Sequence, residues 1–198
     1  MTEDRAAAAP LGGVALLERA IGYTLGSLHL VTPEAMSRSS PCRDWDLRAL
    51  LAHMDDALVA LREAAERAHV DMDGPGAAGA PRDGLDPVAR LRVHGCRLLG
   101  AWTRADAGRR ISIGGRTLPA SVLTTAGALE VAVHGWDVAR ACGRRRPVPE
   151  ALALELLVIA PLLVTEADRG VRFAPPVDLP SSAGASDQLI AYLGRDPR

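Results

Sequence analysis

Glu130 and His134 lie four residues apart in a stretch, Leu123 to Cys142, that is otherwise dominated by Leu, Val, Ala and Thr. On a helix that spacing puts both side chains on one face, one turn apart. Between Thr117 and Trp136, Glu130 is the only side chain with a fixed charge. An ionised carboxylate in apolar surroundings costs several kcal/mol unless it is paired, hydrogen-bonded or bound to a cation. The imidazole one turn away can act as its partner or as a second ligand to a shared metal. At about 100° per residue, Leu123, Ala126, Glu130, His134, Asp137 and Ala141 fall in one narrow arc. Asp137 is thereby placed to accept a hydrogen bond from the other nitrogen of His134, which fixes tautomer and ring orientation as carboxylates do around metal-bound histidines. The plain alternative is a surface Glu/His pair, and a third ligand from another element separates the two readings.

The best-placed third group is His53. It sits beside the apolar stripe Leu47, Leu50, Leu51, Met54, Leu58 and Leu61, in a flank of small residues, Ala49, Ala57 and Ala60, while Asp55, Asp56, Arg62 and Glu63 take the far side. His53 therefore leans inward, and on its own it reads as a hydrogen-bonded structural histidine. His29 is expected at a helix end on the surface, and His69 is expected in solvent. His94 and Cys96 have no partner at ligand spacing. Cys42, Cys96 and Cys142 are widely spaced, which suits reduced thiols rather than disulfides. Cys42 precedes a helix N-terminus, where a thiol pKa falls, yet packing is its simpler role.

These groups need elements to position them. Gly12 to Val31 is a first amphipathic helix, with Val14, Leu17, Ile21, Leu25 and Leu28 on one face. Asp44 or Asp46 caps a second, running to about Ala68. The Gly- and Pro-rich stretch from Val70 to Gly84 reads as a loop. Asp86 and Pro87 open a third helix with Val88, Leu91, Gly95, Leu98, Leu99 and Trp102 inward. Ile111 to Leu118, with Gly114-Gly115 at its centre, is a hairpin or extended loop. The Glu130 helix ends at Gly143, and Arg144, Arg145 and Arg146 then form a solvated cap. Pro149 to about Asp168 is a further helix kinked at Pro161, Val171 to Pro180 is extended, and Ser186 to Leu193 closes the chain as a short helix. The expectation is all-α: one domain, residues 1–198, built as a four-helix bundle with a small hairpin and a short C-terminal helix.

Composition narrows the function. The chain has 198 residues, 48% hydrophobic and 24% charged, with a net charge of −1, which gives no basic field for nucleic acid. Aromatics at 3% are too few for a base-stacking platform. All 23 basic residues are Arg. No apolar run reaches a membrane span, and MTEDRAAAAP lacks the pattern of a signal peptide, so the expected location is the cytoplasm. In a bundle, His53 from the second helix and Glu130 with His134 from the fourth would supply two nitrogens and one carboxylate oxygen. Three protein ligands leave a coordination position open, which is the catalytic zinc pattern; nickel or iron would accept the same donors.

The run Pro41-Cys42, Trp45 and Leu51-x-His53, then Glu130-x-x-x-His134-Gly135-Trp136-Asp137-x-Ala139, then Gly194-Arg195-x-Pro197, resembles the DinB-like metalloenzyme superfamily. Within it the chain is similar to the group related to mycothiol-dependent maleylpyruvate isomerase, over essentially its whole length. The resemblance implies a four-helix bundle holding zinc through His53, Glu130 and His134, with a low-molecular-weight thiol, mycothiol, as a metal-bound thiolate. It implies thiol transfer or thiol-assisted isomerisation on a small electrophilic substrate. The isomerase's additional C-terminal domain is expected to be absent here or reduced to the tail after Val171. Arg195 would orient an acidic substrate if that tail folds over the site; an exposed terminal arginine is the plainer reading. A hydrolase using metal-bound water and a non-enzymatic metal- or partner-binding bundle, monomer or homodimer, are the competing readings.

Overall fold

The fourth helix, α4 (Ala120–Ala141), is apolar nearly all round and is buried on almost every side. The computed structural model describes residues 13–42, 45–70, 86–106, 108–170 and 172–198. Around α4 pack α1 (Gly13–Leu28) and α2 (Leu47–Arg67); α3 (Pro87–Arg104) closes the ring by packing on α2 and α1. The result is an all-α four-helix bundle whose stripes from α1, α2 and α3 face a single core. The face of α2 that carries Leu47, Leu50, Leu51, Met54, Leu58 and Leu61 is buried as its spacing predicts.

Local chemistry sets the ends of these helices. Asp46 caps α2 by accepting from the Ala49 N–H at 2.8 Å; Asp44, the other candidate, lies outside the described residues. Asp86 caps α3 through both carboxylate oxygens, with Pro87 at the first helical position. α2 stops where Ala68 turns left-handed at φ 55°, and the chain enters β1 (His69–Val70), which pairs in parallel with β2 (Arg110–Ile113). The expected loop from Val70 thus begins as a strand, and its remainder lies outside the described residues. A strand of two residues is too short to leave a periodic signal in sequence. β2 and β3 (Arg116–Pro119) form the expected hairpin, turning through Gly114 at φ 53° and Gly115 at φ 76°. Both angles are those a type I′ turn requires.

Close packing between α1 and α4 depends on Gly135. A Cβ there would stand 2.3 Å from Thr24 Oγ1. Thr24 uses the approach to donate its hydroxyl to the Val131 carbonyl at 2.7 Å. The next helix, α5 (Glu150–Leu163), ends just after Pro161 instead of running to Asp168, and Glu166–Asp168 forms a separate 3₁₀ turn. α6 (Ala185–Tyr192) packs on α5. Of the three expected solvated arginines, Arg144 and Arg145 are exposed, while Arg146 folds over the Tyr23 ring at 5.2 Å. No helix among the described residues is long and apolar enough to cross a membrane.

Candidate metal centre

His53 from the middle of α2 and Glu130 with His134 from the middle of α4 meet between the two helices. His53 Nε2 stands 2.7 Å from Glu130 Oε1, and His134 Nε2 stands 3.0 Å from the same oxygen. The two imidazoles are edge to face with centroids 5.0 Å apart. Trp45, just before α2, lies 4.7 Å from the His53 ring and walls one side. One ligand atom from each of the three residues falls within 4.8 Å of the others.

His134 is held from behind. Its Nδ1 lies 2.9 Å from Asp137 Oδ2, one turn along α4, so Nδ1–H donates to the carboxylate and Nε2 faces Glu130 and His53. Asp137 has no exposed surface and also accepts from Arg195 Nε and Nη2, each at 2.8 Å. Burial pushes the Asp137 carboxyl up, but the Arg195 charge and the hydrogen bonds from His134 and Arg195 hold it at about 2. Burial likewise opposes ionisation of Glu130. The charge of His134 and the hydrogen bonds from both histidines outweigh it and keep the carboxyl well below the usual range. Burial lowers the His134 imidazole, and the Glu130 charge with the bonds to Asp137, Cys42 and Glu130 raise it well above its ordinary value. The attraction that holds a proton between these groups would hold a divalent cation in its place.

Arg195 is not the exposed terminal residue expected from its position. Gly194, at φ 80°, has no room for a Cβ, which would stand 2.4 Å from the Ala174 carbonyl oxygen; this turn sends Arg195 back into the protein. There its side chain is 10% exposed and every guanidinium nitrogen is engaged, Nη1 with the Leu193 carbonyl and Nη2 with Cys42 Sγ at 3.3 Å as well as Asp137. Cys42 Sγ, His134 Nδ1 and the Asp137 carboxylate also form a compact set of ligand-type atoms. The Arg195 charge already occupies their midst, so that set pairs with a fixed cation and the metal-type donors are those on the Nε2 side.

The other histidines fall elsewhere. His29 and His69 are exposed, as expected. His94 has a partner that its own helix does not reveal: Nδ1 donates to Asp55 Oδ1 at 2.7 Å, and Arg90 Nε donates to Asp55 Oδ2 at 2.6 Å. Asp55, expected on the outer face of α2, is buried there. No spacing within one helix could show it, because the partners lie on α3. Cys42, Cys96 and Cys142 are all free thiols.

Residues 17–139 match the family model described as the mycothiol maleylpyruvate isomerase N-terminal domain. The chain belongs to this family. Two uncharacterised proteins from two strains of Mycobacterium tuberculosis are each 28% identical to this family member over 174 residues, covering 85% of it and 89% of each relative. Crystal structures of mycothiol-dependent maleylpyruvate isomerase and of a histidine-to-alanine mutant share the fold, with TM-scores of 0.53 and 0.52 at 22% and 21% identity. Each comparison covers 72% of this chain and 65% of the isomerase, so this family member spans just under two thirds of the solved enzyme.

Proposed function

We propose that this chain is a metal-dependent enzyme that uses a low-molecular-weight thiol of the mycothiol type against a small electrophilic substrate, by thiol transfer or thiol-assisted isomerisation. The observation that carries the reading is the convergence of His53 Nε2 and His134 Nε2 on one oxygen of Glu130. Two neutral imidazole nitrogens and a carboxylate are the donor set of a catalytic zinc site, which nickel or iron would also accept. Zinc bound there would supply a thiolate at neutral pH, because a coordinated thiol loses its proton outright. Family membership supports the choice of thiol, and the name of the structural neighbour supports the type of reaction.

This chain's own residues do the positioning. Asp137 accepts from His134 Nδ1–H and so turns Nε2 toward Glu130 and His53, and Arg195 in turn holds Asp137. Arg195 therefore acts through Asp137 rather than gripping an acidic substrate. His53 and Glu130, each with 37% of the side chain exposed, give the site its opening. We further assign residues 1–198 to one metal-binding domain acting in the cytoplasm on small molecules.

The test is thiol ligation in cobalt-loaded protein. Mycothiol is expected to produce a near-ultraviolet sulfur-to-metal absorption band, absent from folded His134→Ala. A folded, cobalt-loaded wild-type protein that shows no band with saturating mycothiol would contradict the thiol reading and favour metal-bound water as the nucleophile.

A further inference from the structure

A cavity of about 20 Å³ lies between α1, α2, α3 and α4, with Glu130 and His134 among the residues that line it. That is room for one or two water-sized groups. Its walls are almost wholly apolar, with Leu25 from α1, Leu58 from α2, Leu91 with Gly95 from α3, and Val131 beside Glu130 and His134 on α4. The one hydroxyl on the wall, Thr24, is already donated to the Val131 carbonyl. No arginine lines the cavity among the described residues, and the chain has no lysine. Arg195, the cation near the centre, has every nitrogen engaged. A carboxylate entering here would lose its water with no arginine and no free hydroxyl on the walls to replace it, at the desolvation cost of a buried charge. A small apolar group would meet only hydrocarbon.

We infer that the electrophilic substrate of this chain carries a small uncharged apolar group that enters this cavity, in place of the carboxylates that maleylpyruvate brings. The inference rests on the metal reading above and narrows its substrate class. Gly95 sets the size of the group. A Cβ there meets Ile21 Cγ2 at 3.4 Å and Leu25 Cδ2 at 3.9 Å, which is ordinary contact, so a larger residue fits by filling the cavity rather than by forcing the helices apart.

The probes are hydroxamates, whose head group chelates a bound metal while the tail is varied. Zinc uptake by the metal-free protein is measured first. Aceto-, propiono- and butyrohydroxamate are then titrated calorimetrically into the zinc-loaded protein, alongside the monohydroxamate of succinate, which ends in a carboxylate. Binding is expected to tighten about fourfold from acetohydroxamate to propionohydroxamate and to gain nothing further with butyrohydroxamate, whose tail exceeds the cavity, and the carboxylate-ended probe is expected to bind no better than acetohydroxamate. In Gly95→Val the series should flatten; the wild-type series decides the question alone if that variant fails to fold. Zinc uptake with a flat wild-type series, or with the carboxylate-ended probe binding tightest, overturns the apolar subsite and leaves the metal reading intact. Failure to take up zinc overturns both.

Discussion

Asp137 and Asp55 are both buried, and each accepts hydrogen bonds from one arginine and one histidine. Asp137 is bonded to Arg195 and His134, Asp55 to Arg90 and His94, and each of these bonds is between 2.6 and 2.9 Å. Each triad solves the same electrostatic problem: a buried carboxylate is matched by a guanidinium and an imidazole N–H. They differ in what lies beyond the histidine. His134 turns its remaining nitrogen toward Glu130 and His53, whereas among the described residues His94 belongs to no cluster of ligand-type atoms. The Asp55 triad ties α2 to α3. The Asp137 triad ties the C-terminal tail to α4 and, through His134, to the proposed metal. A buried charge network therefore marks a functional centre only when one of its members still has a donor atom to offer.

Mutating the two aspartates separates these roles most strongly. Asp137→Ala and Asp55→Ala each strand a buried arginine, and each should cost about 3–5 kcal/mol in urea denaturation. Only Asp137→Ala should also weaken metal binding, by about 10–100-fold in a competitive titration with a chelator. Equal losses of metal affinity in both variants would erase the distinction. At the histidines, His134→Ala should abolish stoichiometric metal binding, while His94→Ala should bind metal as wild type does and lose only about 1–3 kcal/mol of stability, the cost of leaving a buried acceptor short of a donor.

Smaller effects test the scaffold that brings the Asp137 triad into place. Gly135→Ala drives a methyl against Thr24 and should lower stability by about 1–3 kcal/mol in thermal unfolding, the usual cost of overpacking. At the low end, Arg67→Ala removes an exposed ion pair with Glu63, one turn back on α2. It should change stability by less than about 0.5 kcal/mol and leave metal binding untouched.

The same contrast explains what could be read from sequence. Glu130, His134 and Asp137 share one helix, so spacing alone placed them on one face, and the apolar run around Glu130 marked the carboxylate as unusual. His53 needed the bundle as well, since its partners are on another helix. The four bundle helices were legible from their stripes and caps, Asp46 and Asp86 among them. Asp55 was misplaced on the outer face of α2 because its partners, Arg90 and His94, lie on α3, and no periodicity within α2 records them. Arg195 was hidden for a related reason: only the left-handed turn at Gly194 sends it inward, and a glycine near a chain end is also an ordinary loop residue. The end of α5 was overrun because apolar spacing continues past Pro161, whose ring opposes further helix. The cavity beside Gly95 depends on how three helices pack around the donors, which no single stripe contains.

The most direct test of the metal centre is the metal content of protein purified without a metal-binding tag, measured by elemental analysis for wild type and His53→Ala. The account predicts about one zinc, nickel or iron per wild-type chain, lost in a His53→Ala variant whose helical circular dichroism is unchanged. A wild-type protein that carries no metal, even after reconstitution with each of those ions, would make His53, Glu130 and His134 a hydrogen-bonded structural cluster and contradict the central claim.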